Sequence, residues 1–186
     1  VATPDFPVRP GQKVTLNVLT QTLGEIVATR VLVGGTEVAL GPDGRVTLTA
    51  GAPGRTEVRA EATGANGAVG TATAVIRVRD PADTDAPRVT LEPQGTLLPV
   101  TAPVAIPGTV ADAALDGWRL TATDRLSGRT VTLAEGAEAL TGQLVRLDPA
   151  ILADGFHTLR LTATDLSGRT ATATREIEVA SGTKAP

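Results

Sequence analysis

The stretches RLTATDRLSGRT (residues 119–130) and RLTATDLSGRT (residues 160–170) are two nearly identical segments of one chain. In both, Leu and Ala alternate with polar residues, which predicts a β-strand with one apolar face. The acidic residue that follows, Asp124 or Asp165, can accept hydrogen bonds from backbone N–H groups of a turn. The glycine of each Ser-Gly pair can supply a positive φ there. Both stretches therefore predict β-hairpins, and turn formation explains their polar residues without a ligand.

The same alternation runs through the rest of the chain. In QKVTLNVL (residues 12–19), Val14, Leu16 and Val18 share one face and polar residues occupy the other, as expected of a half-buried strand. The 186 residues include 20 Gly and 13 Pro, and turn signals separate short alternating runs along the whole chain. This pattern predicts an all-β protein built as sandwiches or barrels.

A longer repeat relates the two halves of the chain. Aligning PGRTEVRAEATGANG (residues 53–67) with DGFHTLRLTATDLSG (residues 154–168) keeps a constant separation of 101 residues, which Val78 and Val179 also keep. A module of about 100 residues has the size of an immunoglobulin-like sandwich. We therefore predict two tandem immunoglobulin-like antiparallel β-sandwiches, residues 1–79 and 88–180. An Asp/Pro linker, residues 80–87, joins them, and residues 181–186 form a flexible tail.

Composition excludes several classes of function. The chain has no Cys, which excludes disulfides and thiolate metal sites. A net charge of −3 with interspersed signs gives no basic footprint for nucleic acid, and no apolar run reaches the roughly 20 residues that span a bilayer. We expect neither nucleic-acid binding nor membrane insertion. Because the chain does not begin with Met, we expect an internal fragment or a processed chain.

Two aromatic or titratable side chains invite a functional interpretation. His157, the single histidine, is in phase with the apolar residues of its strand, which predicts a half-buried position at the mouth of the core. Trp118 alternates with Leu120 and Ala122, which predicts a core position. The serines lie in Ser-Gly turns or the tail, so no nucleophile–base pair is indicated. Asp124 and Asp165 could act as a glycosidase pair only if they flanked a cleft about 5–10 Å wide, and nothing in the sequence indicates one.

Three carboxylates cluster in the linker. Asp80, Asp83 and Asp85 lie within six residues, and calcium takes six to eight oxygen ligands from such groups. Asp112 and Asp116 could add ligands if their loop faces the linker. A solvated hinge is the alternative interpretation, and it requires no ion. We keep calcium as a candidate at these residues and predict no other cofactor.

The second half resembles the immunoglobulin-like repeats of large bacterial surface and secreted proteins, including those that precede Rhs/YD-repeat regions. Three stretches carry this resemblance: VRDPADTDAPRVTLEP (residues 78–93), IPGTVADAALDGWRLTATD (residues 106–124) and LDPAILADGFHTLRLTATDLSGRT (residues 147–170). It covers most of residues 89–179. It implies a spacer, stalk or display platform outside the cell, whose partners are neighbouring domains of the same polypeptide.

The leading hypothesis is accordingly a non-catalytic structural spacer in an extracellular or cell-surface bacterial protein. The alternative is an adhesin-like module that binds a protein or glycan, or a self-assembling filament subunit. It would use loops at the end of a sandwich or an exposed edge strand. LAEGAEALTGQ (residues 133–143), the longest non-alternating stretch of the second half, is the predicted binding surface. An enzyme is the weakest of the three hypotheses.

Overall fold

The computed structural model describes residues 3–4, 6–20, 24–92 and 99–182. Apart from one short 3₁₀ turn, Pro149–Ile151, its regular elements in these ranges are β-strands, so the predicted all-β class is confirmed. The chain divides into two compact units, Val1–Thr84 and Asp85–Pro186. Within the described ranges, no helix has the length and apolar character needed to cross a membrane.

The described residues of the first unit form six strands. They are β1 (Lys13–Asn17), β2 (Ile26–Val33), β3 (Thr36–Val38), β4 (Arg45–Thr49), β5 (Gly54–Gly64) and β6 (Val69–Val78). Strands β1 and β4 form one sheet, and the other has the order β3-β2-β5-β6. Alternate side chains of both sheets, such as Leu16 and Val58, form one buried cluster, which is the arrangement of a sandwich.

In the second unit, eight strands lie within the part of the chain that the structure describes. They are β7 (Arg88–Leu91), β8 (Pro99–Val100), β9 (Val104–Ala111), β10 (Leu115–Asp124), β11 (Thr130–Gly136), β12 (Leu140–Leu147), β13 (Gly155–Asp165) and β14 (Thr170–Val179). One sheet has the order β12-β9-β7 and the other the order β11-β10-β13-β14-β8. Their inward side chains, among them Ile106, Leu120 and Leu159, again form one core.

Several strands of the two units repeat one another. Strands β13 and β14 have the bounds of β5 and β6 displaced by 101 residues. The pairing Gly54↔Val78 recurs as Gly155↔Val179. Strand β10 repeats β2 at a separation of 89 residues, and the register of each against its neighbour shifts at the same place, between residues 26 and 28 and between residues 115 and 117. The constant separation predicted across the last hairpin is present in the structure.

An early segment of each unit also lies beside the last strand of that unit. Val8 forms a parallel bridge with Val78, and β8 pairs in parallel with the end of β14, Val100 opposite Val179. Because residues 8 and 100 occupy the same place, the early strands of the two units correspond at a separation of 92 residues. By this correspondence β9 repeats β1, and Val110 is the counterpart of Val18.

The non-alternating stretch at residues 133–143, which is the predicted binding surface, consists mostly of strand. Residues 133–136 are the end of β11 and residues 140–143 are the start of β12, which leaves three residues outside strands. These strands belong to different sheets, so the stretch is the crossover from one sheet to the other. The apolar alternation is weak there because both strands lie at the edge of their sheets.

Candidate functional site

The first copied hairpin uses its carboxylate to close a turn. Asp124 Oδ1 accepts hydrogen bonds from the backbone N–H groups of Leu126 at 2.7 Å and of Ser127 at 2.9 Å, and Gly128 has φ +71°. The bonds from Ser127 and Leu126, together with the nearby His157, hold the pKa of Asp124 below its ordinary value of 3.8, because each favours the ionised carboxylate. The predicted turn role is confirmed.

The second copy closes a turn that is one residue shorter, around a buried carboxylate. Asp165 Oδ1 accepts from the N–H groups of Ser167 and Arg169, both at 2.8 Å. Its other oxygen lies 2.8 Å from Arg169 Nε, while the Nε–H donates to the carbonyl oxygen of Asp85 at 2.8 Å. Asp165 is only 1% exposed. Asp165 therefore fixes the turn and also positions Arg169, which in turn binds the carbonyl of Asp85 at the beginning of this unit.

The two carboxylates do not form a pair. Asp124 lies opposite His157 and Asp165 lies opposite Leu115 on the same strand, β10. Nine residues of strand separate these positions, which corresponds to roughly 30 Å at about 3.3 Å per residue. A glycosidase pair needs a separation of about 5–10 Å, so these residues do not provide one.

His157 serves the core of the second unit. It is 2% exposed, so the predicted half-buried position at the mouth of the core is wrong. Its Nε2–H donates to the carbonyl oxygen of Ala153 at 2.8 Å, which satisfies one ring nitrogen, while the buried Nδ1 has no hydrogen-bond partner among the described residues. The hydroxyl of Ser181 does not bond to His157. Its Oγ–H donates to Asp154 Oδ1 at 2.8 Å.

Trp118 fills the core, as predicted. Its side chain is buried and its Nε1–H donates to the carbonyl oxygen of Glu138 at 3.0 Å. The indole lies so close to Gly136 that a Cβ on that residue would come within 2.9 Å of three ring atoms. The crossover predicted as a binding surface is thus tied to the core through Trp118.

The linker carboxylates make local contacts. Asp80 Oδ1 accepts from the N–H of Ala82 at 2.8 Å, and Asp112 Oδ1 does the same for Ala114 at 2.7 Å. Asp80 and Asp83 fall in the first unit and Asp85 in the second. Across the residues that the structure describes, no three His, Cys, Asp or Glu side chains are grouped so that they could hold a metal ion. Calcium at Asp80, Asp83 and Asp85 stays a prediction.

Sequence reasoning missed a groove in the first unit, which we call the β1 groove. It has a volume of about 370 Å³ and is lined by residues 18–20, which follow β1, and by small residues of the β5–β6 hairpin: Ala62, Gly64, Gly70 and Ala72. These hairpin residues are half-buried or exposed. Ala163, the counterpart of Ala62, is fully buried.

Strand β7 accounts for this difference. In the second unit, β7 pairs with β9 and Val110 is fully buried. Val18, the counterpart of Val110 in the first unit, is only half-buried. In the first unit, β1 pairs with β4. On the other side of β1, which corresponds to the side of β9 that pairs with β7, the described part of this unit has no strand. One signal in the sequence marks the place: the small side chains on one face of the β5–β6 hairpin.

Comparisons with known proteins give likenesses at the level of fold. No protein-family model matches the chain, and no curated protein matches it. The solved structures that resemble it include fibronectin(III)-like modules of Clostridium thermocellum CbhA, at 13% identity and a TM-score of 0.41, covering 100% of this chain and 97% of that one.

Two further structures are longer than this chain. A tetra-tandem repeat from the extending region of a large adhesion protein has 24% identity and a TM-score of 0.38, covering 92% of this chain and 46% of its own. The Bacteroides ovatus protein SGBP-B, solved with a mixed-linkage heptasaccharide, has 15% identity and a TM-score of 0.35, covering 96% and 46%. At TM-scores below 0.5, these likenesses carry no conclusion about function.

Proposed function

We propose that this chain is a non-catalytic structural module of a larger extracellular bacterial protein. In this proposal, two tandem immunoglobulin-like sandwiches set the spacing of the domains on either side. The resemblance of residues 89–179 to repeats of bacterial surface proteins supports the extracellular position. The partners are neighbouring domains of the same polypeptide.

One observation carries the proposal: the repeat preserves the backbone and not the polar side chains. Leu166 N–H donates to the carbonyl of Ala114 at 2.7 Å, and Ala65 N–H donates to that of Glu25 at 3.0 Å, so the same bond recurs in both units. In the same turn, Gly64 stands where the second unit has Asp165. A reaction depends on particular side chains, whereas a scaffold depends on backbone geometry, and it is the geometry that is repeated.

The spacing role is tested by measuring the distance between the units. The chain has no Cys, so the substitutions Thr73→Cys and Thr174→Cys, at equivalent exposed positions, allow selective spin labelling. We expect pulsed EPR to give one narrow distance distribution, which broadens when a Gly-Ser segment is inserted after Thr84. A native distribution as broad as that of the insertion variant would defeat the spacer proposal. Chains with a single label control for self-association.

The calcium prediction has a separate test. If Asp80, Asp83 and Asp85 hold calcium, a chelator lowers the melting temperature, because calcium stabilises the state that binds it. The double substitution Asp83→Ala and Asp85→Ala removes that response. A melting temperature that is identical with calcium and with chelator excludes a site that stabilises the fold.

The second candidate function is an adhesin-like module that binds a protein. The β1 groove favours it, because residues 18–20 and the small side chains of the β5–β6 hairpin form a concave surface. A glycan partner, or filament assembly through an edge strand, is the other form of this second candidate, and the β1 groove does not favour either.

A further inference from the structure

We infer that the outer face of the sheet that contains β10 and β13 binds an acidic glycan, a chain of uronic-acid sugars, and holds one of its carboxylates between Arg119 and Arg160. The first unit supplies the template, because its own Glu61 bridges the equivalent pair of arginines. This inference goes beyond the spacer role and deepens the glycan form of the second candidate. The distances that test the spacer do not depend on it.

The template is a group of three charged side chains on the outer face of the first unit. Glu61 Oε2 accepts hydrogen bonds from Arg30, and Glu61 Oε1 lies 2.9 Å from Arg59 Nη2. One carboxylate thus bridges two arginines, with one oxygen for each, and such charge-assisted contacts are strong. The Glu61 side chain is only 11% exposed, although both arginines are more than half exposed at 56% and 52%. The place between the arginines is therefore sheltered.

Two arginines are among the polar side chains that recur in both units. Arg119 follows Arg30 at the separation of 89 residues that relates β2 to β10. Arg160 follows Arg59 at the separation of 101 residues that relates β5 to β13. The counterpart of the bridging glutamate is Thr162, which lies opposite Arg119. Arg119 and Arg160 are diagonal neighbours on paired strands, about 7–8 Å apart and within reach of one ligand. The second unit thus keeps both arginines without the carboxylate that bridges them.

Both arginines are accessible to a ligand. Arg160 is exposed, and its side chain has no acidic partner among the described residues. Arg119 contacts Glu135 at 3.1 Å through Nε, and both of these side chains are 62% exposed. Exposed pairs of this kind contribute little, and a guanidinium has further N–H donors besides Nε–H. Two positive charges and one negative charge leave this place net positive, which complements a carboxylate.

The surroundings favour a sugar chain over an acidic peptide. Threonines occupy most of the outward positions beside the two arginines, among them Thr121, Thr162, Thr164, Thr172 and Thr174. A threonine hydroxyl both donates and accepts hydrogen bonds, so it can pair with the hydroxyls of a sugar. Strands β10 and β13 are each paired on both sides, so they offer no free edge to a peptide backbone. A hydroxyl-rich anion therefore fits this face best.

The test uses the full chain, labelled with nitrogen-15, and a hexasaccharide of galacturonic acid as the probe. We expect saturable chemical-shift changes at the Nε–H groups of Arg119 and Arg160 and at the amides of Thr121 and Thr162. The same hexasaccharide with methyl-esterified carboxyl groups controls for the sugar hydroxyls, and a hexaglutamate peptide controls for the charge. Both should bind at least about tenfold more weakly than the acidic hexasaccharide.

Variants that exchange the bridging residue between the units test the template directly. Thr162→Glu gives the second unit its own carboxylate and should weaken binding of the acidic hexasaccharide at least about tenfold. Glu61→Thr should create a new site in the first unit, with ligand-dependent shifts at the Nε–H groups of Arg30 and Arg59. A gained site cannot result from misfolding.

Three further variants separate the site from the general charge of the surface. Arg160→Ala should weaken binding at least about tenfold, whereas Arg146→Ala, which removes an exposed arginine of β12, should leave it unchanged. Glu135→Gln removes the carboxylate that competes for Arg119 and should strengthen binding several-fold.

The inference is overturned by any of three results. The first is an absence of shifts at Arg119 and Arg160 at probe concentrations of about 5 mM. The second is equal binding of the esterified hexasaccharide or of hexaglutamate, which would assign the face to neutral glycans or to acidic peptides. The third is unchanged binding by Thr162→Glu, which would place the ligand elsewhere. Each of these results would leave the spin-label distances, and hence the spacer proposal, unaffected.

Discussion

Asp124 and Asp165 are aspartates at the start of similar turns, and their contributions to stability differ because their surroundings differ. Both accept two backbone N–H groups, but Asp165 is buried against Arg169 and Asp124 lies at the surface. Losing a buried acceptor leaves its donors desolvated, whereas water replaces an exposed one.

We therefore expect Asp165→Ala to lower the free energy of unfolding by about 2–4 kcal/mol, because it removes two backbone bonds and the partner of a partly buried charge. Asp124→Ala is the matched control and should cost clearly less. Urea unfolding followed by Trp118 fluorescence measures both. Equal losses in the two variants would show that burial of Asp165 does not matter.

The surface carboxylate has its own signature in the dependence of stability on pH. The pKa of Asp124 is lowered in the folded chain from its ordinary value of 3.8. Its contribution is therefore complete above about pH 4 and is lost as the pH falls through the lower folded pKa.

We expect Asp124→Asn, which keeps an oxygen acceptor but cannot ionise, to lose less stability than the native chain between about pH 5 and pH 2. Unfolding curves at several pH values, monitored by Trp118, measure the difference. The control is Asp43→Asn, because Asp43 occupies a similar turn in the first unit. Identical pH profiles for the native chain and Asp124→Asn would contradict the turn assignment.

At the scale of elements, β7 is a short strand that depends on side chains outside its own sheet. It has four residues, and Arg175 Nη1–H donates to the carbonyl of Glu92 just beyond its end. The bond from Arg169 to Asp85 lies before its start. Two arginines on the opposite sheet thus fix the strand in place.

We expect Arg175→Ala to speed amide exchange at Glu92 and Thr90 by roughly tenfold or more, because a hydrogen bond from a charged group contributes about 1.5–3 kcal/mol. Exchange in β13 should not change. Arg160→Ala, an exposed arginine on β13, is the control, and hydrogen exchange followed by NMR is the measurement. A uniform increase across the unit would mean that Arg175 supports the whole fold.

Alternation predicts the long strands because every second side chain of a pleated strand is buried, and QKVTLNVL and the copied hairpins follow this rule. It cannot predict β8 or the bridge at Val8, since one or two residues have no period. It does not reveal the strands at residues 133–143, because β11 and β12 lie at the edges of their sheets. The burial of His157 depends on the carbonyl of Ala153, which local sequence does not reveal. The β1 groove depends on which strand lies beside which.

The whole molecule contains two separate cores. Among the described residues the first core has ten buried members and the second fifteen, so we expect the first unit to unfold at lower denaturant concentration. Trp118, the single tryptophan, belongs to the second core. Fluorescence therefore follows the second unit alone, while circular dichroism follows both.

Val58 and Leu159 are equivalent positions that separate the two transitions. Leu159→Ala should destabilise the second unit by about 2–5 kcal/mol and shift the midpoint seen by fluorescence. Val58→Ala should shift only the earlier transition seen by circular dichroism, because each core stabilises its own unit. If Val58→Ala moved the fluorescence midpoint equally, the two units would unfold as one.

The parallel contacts of Val8 with β6 and of β8 with β14 have a mechanical consequence. In the first unit, Val8 N–H donates to the carbonyl of Arg77 and Arg79 N–H donates to that of Val8, both at 2.9 Å. Because the two segments run in the same direction, tension applied at opposite ends of the unit slides one along the other. Both bonds then bear the load together and must break together. The same parallel contact of β8 with β14 gives the second unit the same resistance to stretching.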